Sequence, residues 1–224
     1  MKTIVKILVL CITTSLFANN GIDKEIGEFT TLKVYDLIEV ELVKDNVNKV
    51  EISGKNSQDV VIVNKNGLLK IKMSLDKIFD GNNIKIKLHY TAVDVIDVNE
   101  GAKVISNDVL KQFEIDLRAQ EGASINLALD VTFANIKAIT GGIIETTGTS
   151  TSQKISLFSG GIYQGQELKT TKTEVAIKAA GDAHVTATDE IDVNIRAGGD
   201  VFIYGKPKNV TENKAFGGRV IYVD

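Results

Sequence analysis

The amino-acid sequence predicts an all-β protein, a single-domain parallel β-helix (β-solenoid) with coils of about 20 residues. Three observations lead to this fold class. The 224 residues include 27 Ile, 23 Val and 18 Thr against 16 Leu, and β-branched residues favour strands. Fourteen of the 19 glycines lie from Gly101 onward and recur at a near-constant interval. The segments between them alternate apolar and polar residues, as strands with one buried face do.

The glycine interval sets the predicted length of one coil. Six successive spacings between marker glycines are 21, 20, 19, 20, 18 and 19 residues. The markers are Gly101, Gly122, Gly142, Gly161, Gly181, Gly199 and Gly218. A strand advances about 3.3 Å per residue, so one repeat traces a path of roughly 60 Å. That path fits one coil of a stack of parallel rungs, with glycine at a corner where backbones approach closely.

Each repeat is predicted to hold a strand, a glycine corner, a second strand and a return turn. Five segments before the corner align as triplets with a small third member, which we predict to fill the interior of a tight corner. The triplets are Ile115, Leu117, Ala119; Ile136, Ala138, Thr140; Ile155, Leu157, Ser159; Val175, Ile177, Ala179; and Val193, Ile195, Ala197. The second strands contain Val104, Ile125, Ile144, Tyr163, Val201 and Val220, and return turns follow at Gly148, Gly165 and Gly205.

An antiparallel sandwich with evenly spaced hairpins is the alternative fold. It explains the alternation of apolar and polar residues but not the aligned small residues, so the solenoid is preferred. Parallel strand crossovers are generally right-handed, which predicts a right-handed coil.

Residues 29–98 are rich in β-formers but lack the glycine interval, and we predict irregular early coils that cap the solenoid. The predicted strands are Thr31–Val43, Lys49–Ser53, Val60–Asn64, Leu68–Ser74 and Asn83–Tyr90. The run from Asn64 to Gly67 predicts a hairpin turn. No Pro- or Ser-rich linker divides the chain, so 29–224 is predicted as one domain, with regular repeats in 99–224 and a short lead in 19–28.

Residues 1–18 have the layout of a secretory signal peptide. Lys2 and Lys6 precede an apolar run, and we place cleavage after Ala18. The alternatives are a buried N-terminal strand and lipid modification of Cys11, the only cysteine. Cleavage would leave a protein without thiols, and therefore without disulfides or a cysteine nucleophile.

The charge balance argues against a nucleic-acid partner. The full chain carries 26 basic and 29 acidic side chains, a net charge of −3. Removal of residues 1–18 takes away two Lys and no acid, so the charge becomes 24 − 29 = −5. Nucleic-acid binding generally needs a basic face, and no long run of Lys or Arg is present.

Several short motifs, in their order along the chain, resemble a bacterial protein family. They are Phe29-Thr-Thr-Leu-Lys-Val, Val50-Glu-Ile-Ser-Gly54, Gly67-Leu-Leu-Lys-Ile71, Glu-Gly-Ala at 100–102 and 121–123, Gly198-Gly-Asp-Val-Phe-Ile-Tyr-Gly-Lys-Pro207 and Gly217-Gly-Arg-Val-Ile221. The chain resembles the DUF2807 family, the "head GIN domain" proteins described as "putative auto-transporter adhesins", over about 29–224. The resemblance implies a secreted or envelope-located β-helical protein, and it transfers no functional residues.

The sequence predicts no catalytic residues, no metal site and no cofactor. His89 lies out of phase with its apolar neighbours and is predicted to be exposed, while His184 is predicted at a corner. Neither has a second His or Cys at ligand spacing. Asp182 and Asp200 follow glycines, as calcium-binding repeats require, but the period of such repeats is nine residues, so turn positions are predicted instead. No motif of a serine hydrolase, zinc protease or phosphate-binding loop is present.

The one candidate ligand-binding feature is an outward stripe before the corners. It consists of Arg118, Ile139, Phe158, Lys178 and Arg196, which are basic or apolar in an acidic protein. As a hypothesis, this stripe could hold an acidic glycan or a partner protein. The alternative is a set of ordinary solvated strand residues. Aromatic platforms for sugars are not predicted, because the chain lacks Trp and Tyr163, Tyr204 and Tyr222 lie among apolar neighbours.

Together these observations predict a non-enzymatic protein of the cell envelope, exported to the periplasm, outer envelope or extracellular space. It would be a structural or adhesive module without a transmembrane span that binds an envelope glycan or a surface protein, and homo-oligomers are compatible with its flat faces. The alternative is a polysaccharide-modifying β-helix enzyme. Acidic side chains from adjacent coils that converge in a concave cleft would favour the enzyme.

Overall fold

The computed structural model describes residues 22–223 and confirms the predicted fold class, a β-solenoid of about seven turns. Sixteen strands form one continuous sheet. The first eight are β1 Ile22–Glu25, β2 Thr31–Val34, β3 Glu39–Lys44, β4 Lys49–Gly54, β5 Val60–Lys65, β6 Leu68–Met73, β7 Ile84–Tyr90 and β8 Val95–Val98. The others are β9 Lys103–Gln120, β10 Ser124–Ile139, β11 Ile143–Phe158, β12 Gly161–Ile177, β13 Gly181–Ala197, β14 Asp200–Tyr204, β15 Asn209–Phe216 and β16 Arg219–Val223. Short 3₁₀ helices at Ser57–Asp59 and Leu75–Lys77 complete the described part. The predicted signal peptide, its cleavage site and Cys11 lie outside the described residues.

The regular part consists of five long parallel strands, β9 to β13, each 16 to 18 residues long. Each runs from one glycine corner to the next, so a single long strand makes up nearly the whole of one coil. The predicted division into two strands and a return turn is therefore wrong for these coils. At Gly148 the strand bends with φ of 100° but continues to pair with its neighbours on both sides.

Two successive positions form each glycine corner, and they require small residues for different reasons. At the first, residues such as Gly160 adopt positive φ. At the second, the backbone lies against the preceding coil: a Cβ atom on Gly161 would sit 2.1 Å from the Ala138 carbonyl oxygen. The register places Ala102, Ala123, Gly142, Gly161, Gly181, Gly199 and Gly218 at this second position. The predicted period is correct, but the first two markers, Gly101 and Gly122, precede that position by one residue.

The predicted alignment of the first triplet is wrong by two residues. Leu117, not Ile115, pairs with Ile136. The position predicted to be small is therefore occupied by Glu121 in the first coil, and by Thr140, Ser159, Ala179 and Ala197 in the next four. All five are exposed or half-buried, so they do not fill the interior of the corner as predicted. Thr140 and Ser159 themselves have φ of 49° and 51°, and they belong to the turn.

The interior consists of stacked Ile, Val and Leu side chains, with one polar cluster among them. The fully buried Tyr163 hydroxyl donates to Oε1 of Gln153 and contacts the Thr146 hydroxyl, both at 2.7 Å. The Gln153 amide donates to Thr173 at 2.9 Å, and Thr173 contacts Thr170 at 2.8 Å. Burial raises the pKa of Tyr163 well above its usual value, so the phenol stays neutral and can donate. The expected burial of Tyr163 agrees with the structure.

Gly165 makes room for this tyrosine. A Cβ atom at that position would lie 2.4 Å from the Tyr163 ring. The glycine predicted to mark a return turn thus has a packing role inside β12, because a side chain there would displace the buried phenol.

The N-terminal coils are stacked out of chain order. In the sheet β2 lies between β6 and β8, and β3 lies between β7 and β9. The coil made by β2 and β3 therefore sits inside the stack, while the later coil made by β6 and β7 lies outside it. Antiparallel strands then cover the outer edge, β5 on β6, β4 on β7 and β1 on β4. Covering an edge strand in this way opposes aggregation.

Most of the predicted early strands are present, with three differences. The hairpin turn is confirmed, because β5 and β6 pair up to Lys65 and Leu68, with Asn66 and Gly67 both at positive φ. The predicted strand 31–43 is divided by a turn in which Asp36 and Leu37 have positive φ. Strands β1 and β8 were not predicted.

A buried carboxylate connects the cap to the regular coils. Asp97, 3% exposed, accepts hydrogen bonds from Lys33 at 2.7 Å, Asn99 at 2.9 Å and Gln120 at 3.2 Å. Burial alone would raise the pKa of Asp97. The hydrogen bonds from Lys33, Asn99 and Gln120 outweigh burial, so its pKa lies below the usual value.

Asp97→Asn is expected to lower the free energy of unfolding by about 1–2 kcal/mol at neutral pH, because charge-assisted hydrogen bonds are lost. Since the folded pKa is depressed, the contribution is complete above the unfolded value near 4 and is lost as the pH falls through the folded pKa. Urea unfolding of both proteins between neutral pH and acid should therefore show a difference that shrinks below about pH 4. The exposed Asp192→Asn is the control, and a difference for Asp97→Asn that is independent of pH would contradict the assignment.

Candidate functional site

The structure brings together four of the five residues of the predicted stripe. Phe158, Lys178 and Arg196 follow one another on adjacent rungs, directly after the paired residues Leu157, Ile177 and Ile195. Ile139 pairs with Phe158 on the preceding rung, and Gln120 pairs with Ile139. We call Gln120, Ile139, Phe158, Lys178 and Arg196 the corner column, because it runs along the stack beside the glycine corners.

Arg118 is not part of this column, which corrects the predicted stripe. It pairs with Lys137, two residues before Ile139, so it belongs to the neighbouring outward-facing column. Its Nε donates to Oδ1 of Asp116 at 3.0 Å, and a second contact joins Nη2 to Oδ2. This fork neutralises the guanidinium charge, so Arg118 is poorly suited to attract an anion.

Lys178 and Arg196 differ from Arg118 in having no such partner. Both are exposed, and within the described residues neither has a carboxylate oxygen within 4 Å. Adjacent strands lie about 4.8 Å apart, so the two like charges stand on neighbouring rungs. Like charges directly opposite each other on a sheet are destabilising. An anion bound between them would relieve that repulsion.

Two lysines on neighbouring outward-facing columns do have carboxylate partners. Lys154 pairs with Glu174 at 3.1 Å, and Lys172 pairs with Glu190 at 3.0 Å, in each case across one rung. Lys154 and Lys172 therefore have carboxylate partners, whereas the basic residues of the corner column do not within the described part of the chain. Phe158 adds an exposed apolar ring, 44% accessible, beside the two charges.

Both histidines lie in surroundings that differ from the predicted ones. His89 was expected to be exposed, but its side chain is 13% accessible, because Asp45 contacts Nδ1 at 2.7 Å and Glu51 lies 3.3 Å from Nε2. His184 lies inside β13 and not at a corner. Its ring stacks on Phe202 with centroids 4.4 Å apart, and burial lowers its pKa. Among residues 22–223 no group of three His, Cys, Asp or Glu side chains is arranged to hold a metal ion.

The predicted turn aspartates stack on each other. Asp182 of β13 pairs with Asp200 of β14. Asp200 in turn binds Arg219, whose Nε donates to Oδ1 at 2.9 Å and holds the pKa of that carboxyl below its usual value. The Asp200 carboxylate is therefore already neutralised by an arginine.

A groove of about 440 Å³ on the cap collects three glutamates, the feature that would favour an enzyme. Each has a partner. Glu39 lies 3.6 Å from Lys85, Glu41 accepts from Asn107 at 2.7 Å, and Glu51 accepts from Lys49 at 2.8 Å. The hydrogen bond from Lys49 lowers the pKa of Glu51. A glycosidase needs one carboxyl with a raised pKa as general acid, and Glu51 is shifted in the opposite direction.

Comparison with protein families identifies the chain. The DUF2807 family, described as "Putative auto-transporter adhesin, head GIN domain", matches residues 28–207. The protein belongs to the DUF2807 family. The resemblance noted in the sequence is thereby confirmed, and the family's description is that of an adhesin and not of an enzyme. No curated protein matches the sequence.

Solved structures with the same fold come from Bacteroides and Parabacteroides species. A "putative adhesin" from Bacteroides fragilis is 16% identical, with a TM-score of 0.82 over 91% of this chain and 96% of that chain. A "putative adhesin" from Parabacteroides merdae is 15% identical, with a TM-score of 0.69 over 91% and 95%. A "putative lipid binding protein" from Parabacteroides distasonis is 17% identical, with a TM-score of 0.67 over 91% and 96%. At identities this low, the structural similarity establishes a shared fold alone. In the described part of the chain no helix has the length and apolarity to span a bilayer.

Proposed function

We propose that this DUF2807 protein is an exported, non-enzymatic binding module of the bacterial envelope, and that the corner column binds its ligand. One observation carries the site: Lys178 and Arg196 stand on adjacent rungs, and within the described residues neither has a carboxylate partner, whereas Lys154 and Lys172 on the neighbouring columns do. The family's adhesin description and the signal-like residues 1–18 support export and binding.

An acidic glycan is the ligand that this chemistry fits best. A guanidinium can form two parallel hydrogen bonds with a carboxylate, and an ammonium one rung away adds a second point charge. The exposed Phe158 ring and Ile139 can cover the apolar face of a sugar next to its carboxylate. Repeated rungs suit a repeated polymer, because a chain lying along the stack meets the charged and apolar positions in succession.

Lys178→Ala combined with Arg196→Ala is expected to weaken binding of an acidic polysaccharide, such as polygalacturonate, by about 10- to 100-fold, since two charge-assisted contacts are lost. Affinity electrophoresis of residues 19–224 at low and high salt measures the effect, and binding by the parent protein should fall with salt.

The matched control is Lys154→Ala combined with Lys172→Ala, which removes the same charge from lysines already paired with glutamates. Equal losses for both double variants would show only a net-charge effect and contradict a site at the corner column. If the parent protein binds no acidic polymer but retains a surface protein through the same two residues, the ligand is a protein and the glycan assignment is wrong.

A further inference from the structure

A second groove lies where the long strands bend, about midway along each strand between two glycine corners. Its volume is about 490 Å³, and its lining is dominated by hydroxyl side chains. We call it the threonine groove and define it by Thr132, Thr149, Thr151, Thr171 and Thr188, with Gln112, Asp130 and Lys169 also in its walls.

The threonines form a ladder along the solenoid. Thr132 stands beside Thr151, because the residues before and after them pair as Val131 with Ser150 and Phe133 with Ser152. Thr151 stands in the same way beside Thr171, between the pairs Ser150 with Thr170 and Ser152 with Lys172. Consecutive rungs are about 4.8 Å apart. The ladder therefore repeats a hydroxyl at close to the length of one pyranose unit.

These hydroxyls are available to a ligand. Other threonines near the bends bond within the protein: Thr170 donates to the Thr186 carbonyl at 2.8 Å, and Thr186 donates to that of Gln166 at 2.7 Å. Within residues 22–223 the Thr132, Thr151 and Thr171 side chains make no such bond. A hydroxyl both donates and accepts, as the hydroxyls of a sugar do.

An exposed aromatic pair continues the ladder at one end. Phe113 occupies the rung next to Thr132, since Gln112 pairs with Val131 and Glu114 with Phe133. Phe113 is 67% exposed, and its ring meets that of Phe133 edge-on with centroids 5.2 Å apart. Two large apolar rings in contact at the surface form an apolar patch, and such patches often mark interaction sites. The C–H face of a sugar is a natural cover for such a ring.

The walls of the groove carry little net charge. Lys111 and Asp130 neutralise each other at 3.4 Å, which leaves Lys169 as a single positive charge. We propose that the threonine groove binds an uncharged polysaccharide that lies along the stack, with one sugar unit on Phe113 and the next units on the threonine hydroxyls. This ligand class differs from that of the corner column, so the two sites can be tested separately.

The test uses residues 19–224 and soluble neutral polysaccharides, namely a β-glucan, a xylan and a mannan, in affinity electrophoresis. Thr151→Val combined with Thr171→Val removes two hydroxyls and keeps the β-branched shape, so folding should be preserved. We expect this variant and Phe113→Ala each to lose at least about 10-fold in affinity for the neutral polymer that the parent protein binds. Thr211→Val and Phe216→Ala, exposed residues away from the groove, are the controls and should bind as the parent protein does.

Two results would overturn the proposal: the parent protein retains none of the neutral polymers, or the valine variant binds them unchanged. The variants at Lys178 and Arg196 separate this proposal from the previous one. They should leave binding of the neutral polymer intact, and the threonine variants should leave binding of the acidic polymer intact. Both sets of variants could instead lose binding of both polymers. Thermal unfolding of each variant shows whether a folding defect is the cause. If the variants are well folded, this result would contradict the existence of two separate sites.

Discussion

Gly161→Ala is expected to lower the free energy of unfolding by about 3 kcal/mol, through overpacking at the glycine corner. The added Cβ would lie 2.1 Å from the carbonyl oxygen of Ala138 and 2.5 Å from its carbonyl carbon. These are backbone atoms of the preceding coil, and they cannot move aside as the end of a flexible side chain can. The coils must separate locally, and the stacking of neighbouring rungs is disturbed. Thermal unfolding should show a loss of roughly 6–12 °C for a chain of this size.

The preceding glycine provides the control. Gly160 has φ of 76°, but a Cβ atom there would meet nothing within 4 Å. Gly160→Ala should therefore cost only the left-handed backbone strain, about 1 kcal/mol. Equal losses for the two adjacent variants would mean that backbone conformation, and not close approach of the coils, determines the glycine at the corner.

Tyr163→Phe is expected to cost about 2–3 kcal/mol, because it leaves polar atoms in the core without a partner. The lost hydroxyl donates to Gln153 Oε1 and contacts Thr146, and all three side chains are buried. Water cannot replace the hydroxyl without opening the stack. Urea unfolding followed by circular dichroism measures the loss.

Tyr222→Phe is the matched control, since that hydroxyl contacts Glu212 at 3.0 Å on a residue that is 56% exposed. It should change stability by less than about 0.5 kcal/mol. Combining Tyr163→Phe with Gln153→Leu should cost less than the sum of the single changes, because both partners of the bond are then apolar. Strict additivity would contradict a coupled network.

The sequence predicts the period of the fold correctly, because close approach of stacked backbones restricts one position in every coil to glycine or alanine. It does not determine the register of the first long strand. A slip of two residues, from Leu117 to Ile115, keeps every inward side chain inward. The hydrophobic pattern is the same in both registers, so it cannot distinguish them. For this reason the sequence places Arg118 in the wrong column.

The order of the early coils could not be predicted for a different reason. Strands β2, β6 and β8 are all short and apolar, and which of them become neighbours depends on contacts between residues far apart in the chain. The threonine groove was missed although its signal was present. Thr132, Thr151 and Thr171 recur at spacings of 19 and 20 residues, in step with the glycines. Aligning the polar positions as well as the apolar ones would have revealed the ladder.

The order of the early coils also affects how the protein resists a pulling force. A pull on the chain beyond β16 first detaches β16, which among the described strands pairs with β14 alone, and then β15, which pairs with β13 alone. A pull on residue 22 first strips β1 from β4 and then loads β2, which is held on both sides by β6 and β8. An internal rung must slide past two neighbours at once. Shear of this kind loads many hydrogen bonds at the same time, whereas peeling breaks them one after another. We therefore expect more force to be needed to unfold the protein from its N-terminal end than from its C-terminal end.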